Sequence, residues 1–292
     1  MKPPTTIRHY FFQLALLLLV HFPILSPLNA QNTARDLHLK EFQQDRIAPG
    51  LRWYHLQTAD YFDSPQSINI LAIRTKRRTV DLLYQPDTLI RTADYATFVE
   101  ATAAINAGFF NMQQGGSVTY VKKDGQVLAQ NQEGLLQRNS VVIRGAFVIT
   151  NRGQILIETP KSTDFYTRDL QYDDVLLSGP LLIKEGKRIP LDSTTFTLDR
   201  HPRTCACLTT KNRLWLLTAD GRHSDAAGLS LPELTDLLVA LKCTSAINLD
   251  GGGSTTMYIR GQSDKGIVNY PSDNRTFDHR GQRKVANVIV VH

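Results

Sequence analysis

Residues 230–254, SLPELTDLLVALKCTSAINLDGGGS, run a helix into a strand and the strand into three consecutive glycines. Leu231, Leu234, Leu237, Leu238 and Leu241 recur at helical spacing on one face. Ser230 as N-cap, Pro232 just inside and Glu233 three residues on form a capping box, which marks the helix start. The strand that follows ends at Asn248-Leu249-Asp250, and Gly251, Gly252 and Gly253 come next. Each glycine in a regular element costs about 0.5–1 kcal/mol relative to alanine. Three together are read either as a loose turn or as a backbone that a ligand must approach closely.

From about Ser67 onward, short strands alternate with turn signals. Strands are expected at Ile68–Ile73, Thr79–Tyr84, Val118–Lys122, Val141–Ile149, Ile155–Glu158, Val175–Leu177, Leu181–Lys184, Thr204–Thr209, Leu214–Thr218 and Val285–Val291. Lys123-Asp124-Gly125, Asn151-Arg152-Gly153 and Glu185-Gly186 supply compact hairpin turns. Apart from Leu231–Lys242, the one further helix expected is Thr92–Thr102. No linker divides this region. The expectation is a single α+β domain at 67–292, built on mixed, largely antiparallel β-sheet with a few packed helices, preceded by an extension at 31–66. Ala104-Ile105-Asn106-Ala107-Gly108 and Ala246-Ile247-Asn248-Leu249-Asp250-Gly251 echo one another, and would place two turns side by side if their strands were neighbours in a sheet.

The 292 residues are 42% hydrophobic and 21% charged, an ordinary globular composition. Lys2, Arg8 and His9 precede the apolar run Phe11–Val20, with Pro23, Pro27 and Ala30 beyond it. Residues 1–30 therefore read as a secretory signal peptide, and the mature protein as secreted, periplasmic or otherwise in the cell envelope, without a membrane span. The formal net charge of +6 falls to about +4 once Lys2 and Arg8 are set aside. No basic block exceeds Lys76-Arg77-Arg78, so nucleic acid is not the expected partner. Cys205, Cys207 and Cys243 are an odd set for an oxidising compartment. Either of the first two is placed to meet Cys243, or all three are small buried apolar residues.

Polar residues gather at strand ends: Ser178-Gly179-Pro180, His201-Pro202-Arg203-Thr204, Asp220-Gly221-Arg222-His223 and Asp250 with its glycines and Ser254. Two carboxylates, Asp220 and Asp250, are the usual equipment for cleaving a glycosidic bond. Arg203 and Arg222 suit a phosphate or carboxylate, and consecutive glycine N–H groups suit an anion. Asp220-Gly221 alone is also an ordinary turn dipeptide. Nothing in the chain has the spacing of a Gly-x-Ser-x-Gly elbow, a His-x-x-x-His pair or a phosphate-loop lysine.

Together, Ala104–Phe110, Ser178-Gly179-Pro180-Leu181-Leu182, His201-Pro202-Arg203-Thr204, Asp220-Gly221-Arg222, the Leu-Pro-Glu-Leu helix start and Asn248–Ser254 resemble the phosphodiester glycosidase domain, in matching order from about Ala103 to the terminal strand. The resemblance implies a hydrolase that cleaves between a sugar's anomeric carbon and a phosphodiester, on substrates of the GlcNAc-1-phosphodiester kind. It implies Asp250 and Asp220 as catalytic carboxylates and Asn106, Arg203, Arg222, Gly251, Gly252, Gly253 and Ser254 as substrate-binding residues. No cofactor is called for, while a divalent ion near Asp220 or Asp250 is left open. Cys205-Ala206-Cys207 stands where aliphatics are expected, and Ala107 where a second glycine is frequent. Two other readings of the same residues are an envelope glycoside or polysaccharide hydrolase and a non-catalytic glycan-binding module.

Overall fold

In the computed structural model, which describes Met1 and residues 39–211 and 213–292, the helix of the opening stretch spans Leu231–Ala240. Its capping box is formed on both sides: Glu233 N–H donates to Ser230 Oγ at 3.3 Å, and Ser230 N–H donates to Glu233 Oε2 at 2.8 Å. A cap of this kind is worth about 1 kcal/mol. Leu231, Leu234, Leu237 and Leu238 are buried against Ile68, Ile70, Leu217 and Ala246. Each buried leucine contributes roughly 1.5–3 kcal/mol, so packing rather than the cap holds the helix in place.

The surface it packs on is an eight-stranded sheet. In spatial order its strands are Gln43–Ala48, Leu51–Thr58, Gln66–Ile73, Leu214–Ala219, Arg203–Thr209, Cys243–Asn248, Leu181–Lys184 and Lys187–Arg188. All pairings are antiparallel. Alternation along Gln66–Ile73 sends Ile68 and Ile70 toward the helix and Leu71 and Ile73 into a second core. Both faces are therefore covered, which is why this strand is apolar almost throughout rather than at every other residue.

The second core is shared with two further sheets. One runs Met257–Ile259, Ala103–Asn106, Asn287–Val291, Val80–Tyr84. The other runs Ile155–Glu158, Gly145–Thr150, Tyr172–Ser178, Val121–Lys123, Gln126–Ala129. Ile105, Ile289, Phe147 and Leu176 meet Leu216 and Ile247 there. The helix Thr92–Phe98 covers the outer face of the four-stranded sheet through Ala93, Tyr95 and Ala96. The α+β class with antiparallel sheets is thus as expected from the sequence.

Several local expectations are corrected. Val141–Ile143 is a 3-10 turn and the strand starts at Gly145, because Arg144 N–H turns back to the Val141 carbonyl at 3.2 Å. The terminal strand is broken at Ala286, whose carbonyl instead accepts from Tyr95 Oη at 2.7 Å and Gln85 N–H at 2.8 Å. The two echoing strands are not neighbours: Ala103–Asn106 and Cys243–Asn248 lie in different sheets. Within the expected 31–66 extension, residues 43–58 form a hairpin on the edge of the large sheet, while the expected signal peptide lies outside the described residues. Cys207 and Cys243 form a disulfide and Cys205 is a buried free thiol, so the odd cysteine is resolved as one bridge plus one packed side chain.

Candidate active site

Antiparallel pairing fixes where the polar strand ends meet. Cys205 pairs with Asn248 and Arg203 with Ala219, so the start of Arg203–Thr209 and the ends of its two neighbours share one rim. The end of Ala103–Asn106 arrives from the other sheet and closes on them. Asp250 N–H donates to the Ala107 carbonyl at 2.7 Å, and Asn106 Nδ2 donates to the Asp250 carbonyl at 2.6 Å. Asn106 Oδ1 accepts from Thr204 Oγ1 at 2.9 Å and Thr256 N–H at 3.0 Å. Asn106 is wholly buried and clamps both sides of the glycine turn. The echo between the two Ala-Ile-Asn segments thus marks two sheets joined at their rims.

Each of the three glycines makes room for a different neighbour. A Cβ on Gly251 would sit 2.6 Å from the Pro202 carbonyl oxygen. One on Gly252, whose φ is +61°, would lie 3.0 Å from Arg222 Nη2. One on Gly253 would fall between Arg283 and Asp273, 2.6 Å from Asp273 Oδ1. The glycines therefore let two guanidinium groups close in on the turn that carries Asp250. Their N–H groups are not all turned outward: Gly252 N–H donates to Pro202 O at 2.8 Å, and Gly251 N–H acts on the Asp250 carboxylate itself. Two of the three expected anion donors are thus engaged within the protein, and the guanidinium groups of Arg222 and Arg283 are the cations that stand beside the turn.

Asp250 is partly open to solvent but densely surrounded by protein. Burial pushes its carboxyl up to about 6, against the Ser254 hydroxyl, Arg283, the Gly251 N–H and Arg222, all of which favour the ionised form. The Ser254 hydroxyl is buried, and the Asp250 carboxyl is the polar group it acts on. Arg222 has an exposed guanidinium with no hydrogen bond or ion pair to the described residues, on a backbone held at φ +65°. Positive φ costs a non-glycine residue on the order of 1–2 kcal/mol. An unpaired arginine on a strained backbone beside a carboxyl of raised pKa is an arrangement for binding an anion.

Arg203 and Asp220 are deeper. Arg203 Nε donates to Leu229 O at 2.8 Å, and its Nη2 donates to the Phe196 and Asp199 carbonyls, both at 2.9 Å. Burial lowers its pKa to about 10, with Arg222 adding to the effect. Its fork is committed largely to the protein. Asp220 has no exposed surface and accepts from Ser67 Oγ at 2.6 Å, Asn269 Nδ2 at 2.8 Å and Tyr270 N–H at 2.9 Å. Burial raises its pKa while those donors oppose the rise. Asp220 thereby ties the segment after Val268 to the sheet rim. Asp220→Asn is expected to keep these contacts, since the Ser67 hydroxyl can turn to donate or accept, and so to keep stability and kcat/KM within about tenfold. Asp220→Ala strands three donors and is expected to cost about 3 kcal/mol or more in urea unfolding. A Asp220→Asn protein that folds normally but loses a thousandfold in kcat would make Asp220 a chemical participant instead.

The segment following Val268 supplies what sequence reasoning missed. Arg283 pairs with Asp273 at 2.5 Å and acts on Asp250. Four rings stack in series beside the rim: His223 on Phe277 at 4.9 Å, Phe277 on Tyr270 at 3.9 Å, and Tyr270 on His279 at 4.4 Å. No periodicity flags these residues, because they lie in a loop rich in turn formers. The one available signal was an arginine just before the terminal strand. Among the described residues, the trio of carboxylates close enough to share an ion is Asp124, Asp173 and Asp174, not a group around Asp220 or Asp250. Lys123 already contacts Asp124 and Asp174 there.

A sequence model of the phosphodiester glycosidase family matches residues 100–292. The chain is 27% identical over 202 residues to the N-acetylglucosamine-1-phosphodiester alpha-N-acetylglucosaminidase of Mus musculus, covering 65% of this chain and 37% of that protein. With the protein of the same name from Bos taurus it shares 29% over 201 residues, again 65% of this chain and 37% of the other. The chain thus spans under two fifths of the length of these relatives. The solved catalytic domain of the zebrafish protein of that name, auto-inhibited by its pro-peptide, has a TM-score of 0.65 over 86% of this chain and 83% of its own, at 18% identity. At that identity the likeness is one of fold.

Proposed function

The chain belongs to the phosphodiester glycosidase family, and from that premise we propose that it is a hydrolase breaking the bond between a sugar's anomeric carbon and a phosphodiester oxygen, with N-acetylglucosamine-1-phosphodiesters as the substrate type. The observation that carries the reading is a carboxyl raised to about 6, Asp250, flanked by the guanidinium groups of Arg222 and Arg283 on a turn of three glycines. Family relatives named for this reaction support the substrate type.

Arg222 holds the phosphodiester oxygens through charge-assisted hydrogen bonds. Asp250, ionised above about pH 6, takes a proton from water. The water oxygen bonds to the anomeric carbon, the carbon–oxygen bond to phosphate breaks, and its electron pair leaves on a phosphate monoester already facing a cation. That leaving group needs little protonation, so one carboxylate suffices at the reacting centre and Asp220 acts by positioning. A single displacement by water inverts the anomeric carbon.

Hydrolysis of a GlcNAc-1-phosphodiester in ¹⁸O-labelled water tests this. Label in the sugar, with the inverted anomer seen first by NMR, is expected. Label in the phosphate would make the protein a phosphodiesterase, and a retained anomer would make Asp250 a nucleophile. Export of the protein is part of the same proposal. It is supported by the N-terminal apolar run and by the Cys207–Cys243 disulfide, a bond that persists in oxidising compartments.

A further inference from the structure

The rim of the large sheet opposite Asp250 carries a concentration of positive charge. Four turns meet there: Pro49–Gly50, Arg74–Arg78, Asn151–Gly153 and the turn that ends at Arg213. Two adjoining grooves lie among them, of about 210 and 810 Å³. The smaller is lined by Arg46, Arg52, Arg74, Arg77 and Arg213, and the larger shares the last three and adds Lys76, Arg152 and Lys211. No carboxylate lines either groove. These eight cations exceed the formal net charge of the whole chain, +6, so the rest of the molecule is slightly acidic and the excess sits here.

Stability does not account for the arrangement. Arg46 and Arg52 are directly opposite one another across two strands, a pairing that like charges destabilise. The side chains of Arg74, Lys76, Arg77, Arg152, Lys211 and Arg213 make no ion pair with the described residues. Yet the turns are firmly built. Arg74 N–H donates to Gly50 O at 2.8 Å, Arg78 Nε donates to Pro49 O at 2.8 Å, and the bare Cα of Gly50 (φ +84°) admits the Arg77 side chain. Unneutralised cations held on a rigid concave surface produce a field that draws anions.

The geometry points to a second binding site at this rim for a linear polyanion, specifically a glycan polymer with phosphate in its repeat. The identity of the anion rests on the proposed function, and the site's existence does not. Along Leu214–Ala219, Arg213 and Asp220 are separated by roughly 20–25 Å at about 3.3 Å per residue, so one polymer chain is long enough to engage both rims and a small diester is not. A membrane surface fits less well. None of the exposed large apolar side chains, such as Phe98, Met112 or Leu170, belongs to the grooves, and the surface is concave.

The test compares the full protein with two triple variants, Arg74→Gln/Arg77→Gln/Arg213→Gln and Arg74→Lys/Arg77→Lys/Arg213→Lys. Binding of long-chain inorganic polyphosphate is measured by fluorescence anisotropy, beside sedimentation with vesicles of phosphatidylcholine and phosphatidylglycerol in equal parts. The unaltered protein is expected to bind polyphosphate with an affinity that falls at least about tenfold between 50 and 200 mM salt. The glutamine variant is expected to bind about tenfold or more weakly and the lysine variant close to normally. All three are expected to hydrolyse a small GlcNAc-1-phosphodiester equally. Unchanged polyphosphate affinity in the glutamine variant overturns the proposal, and so does vesicle binding without polyphosphate binding. If the small diester is not hydrolysed at all, the proposed reaction fails while the binding arms still decide the site.

Discussion

Asp250→Asn is expected to lower kcat/KM on a GlcNAc-1-phosphodiester by about a thousandfold and, at pH 7, to make the protein more stable. The first effect follows from removing the proposed proton acceptor, a contribution of about 10²–10⁴ in rate. The second follows from linkage. An aspartate that titrates near 3.9 when unfolded and at about 6 when folded binds more protons in the folded state across that interval. Stability therefore falls as pH rises from about 4 to 6, and the deficit persists above it. Asparagine has no charge to desolvate, so unfolding in urea at pH 7 should show a gain of about 1–2 kcal/mol that disappears by pH 4. On the proposed mechanism the unaltered protein should lose activity tenfold per pH unit below about 6. A variant as active as its parent would remove Asp250 from the chemistry.

The second large effect is expected at Arg222. Arg222→Gly removes the unpaired guanidinium and relieves the φ of +65°, a relief offset by the greater freedom glycine has in the unfolded chain. Stability should change by less than about 1 kcal/mol. Activity should fall about a hundredfold or more, the loss of a charge-assisted anion contact. Because Arg222 favours ionisation of Asp250, its removal should also move the acidic limb of the pH–rate profile upward. Arg222→Lys should leave the limb close to its original place and recover only part of the rate, since an ammonium lacks the fork. An unmoved limb in Arg222→Gly would show that the two groups do not interact.

What was legible in the sequence was whatever has a local cause. The helix at Leu231 declares itself by spacing and cap, and the hairpins by their turn dipeptides. The strand ends carrying Asp220 and Asp250 stand out because polar residues interrupt apolar runs. The hairpin at 43–58 was missed because Gln43, Gln44, Asp45 and Arg46 are exposed on an edge strand, where charge guards against pairing with other chains and erases the apolar alternation. Arg283 was missed because nothing in its neighbourhood is periodic. The purpose of the glycines was misjudged in part: a sequence shows that backbone is exposed, but not which neighbour approaches it. Asp220 and Asp250 looked alike for the same reason. Their environments, three donors and no solvent for one, two guanidinium groups and an open side for the other, are set by segments more than a hundred residues away in the case of Ser67 and Asp220.

The strand Asn287–Val291 lies inside the four-stranded sheet, between Ala103–Asn106 and Val80–Tyr84. It pairs Val288 with Asn106, the residue that clamps the Asp250 turn. Contacts of such long sequence separation slow folding, because loop closure costs entropy before the contacts repay it. The support that Asn106 gives the Asp250 turn thus depends on a strand that lies nearly forty residues further along the chain than the turn itself, so a truncation before Asn287 is expected to loosen the turn while leaving every residue of it in place.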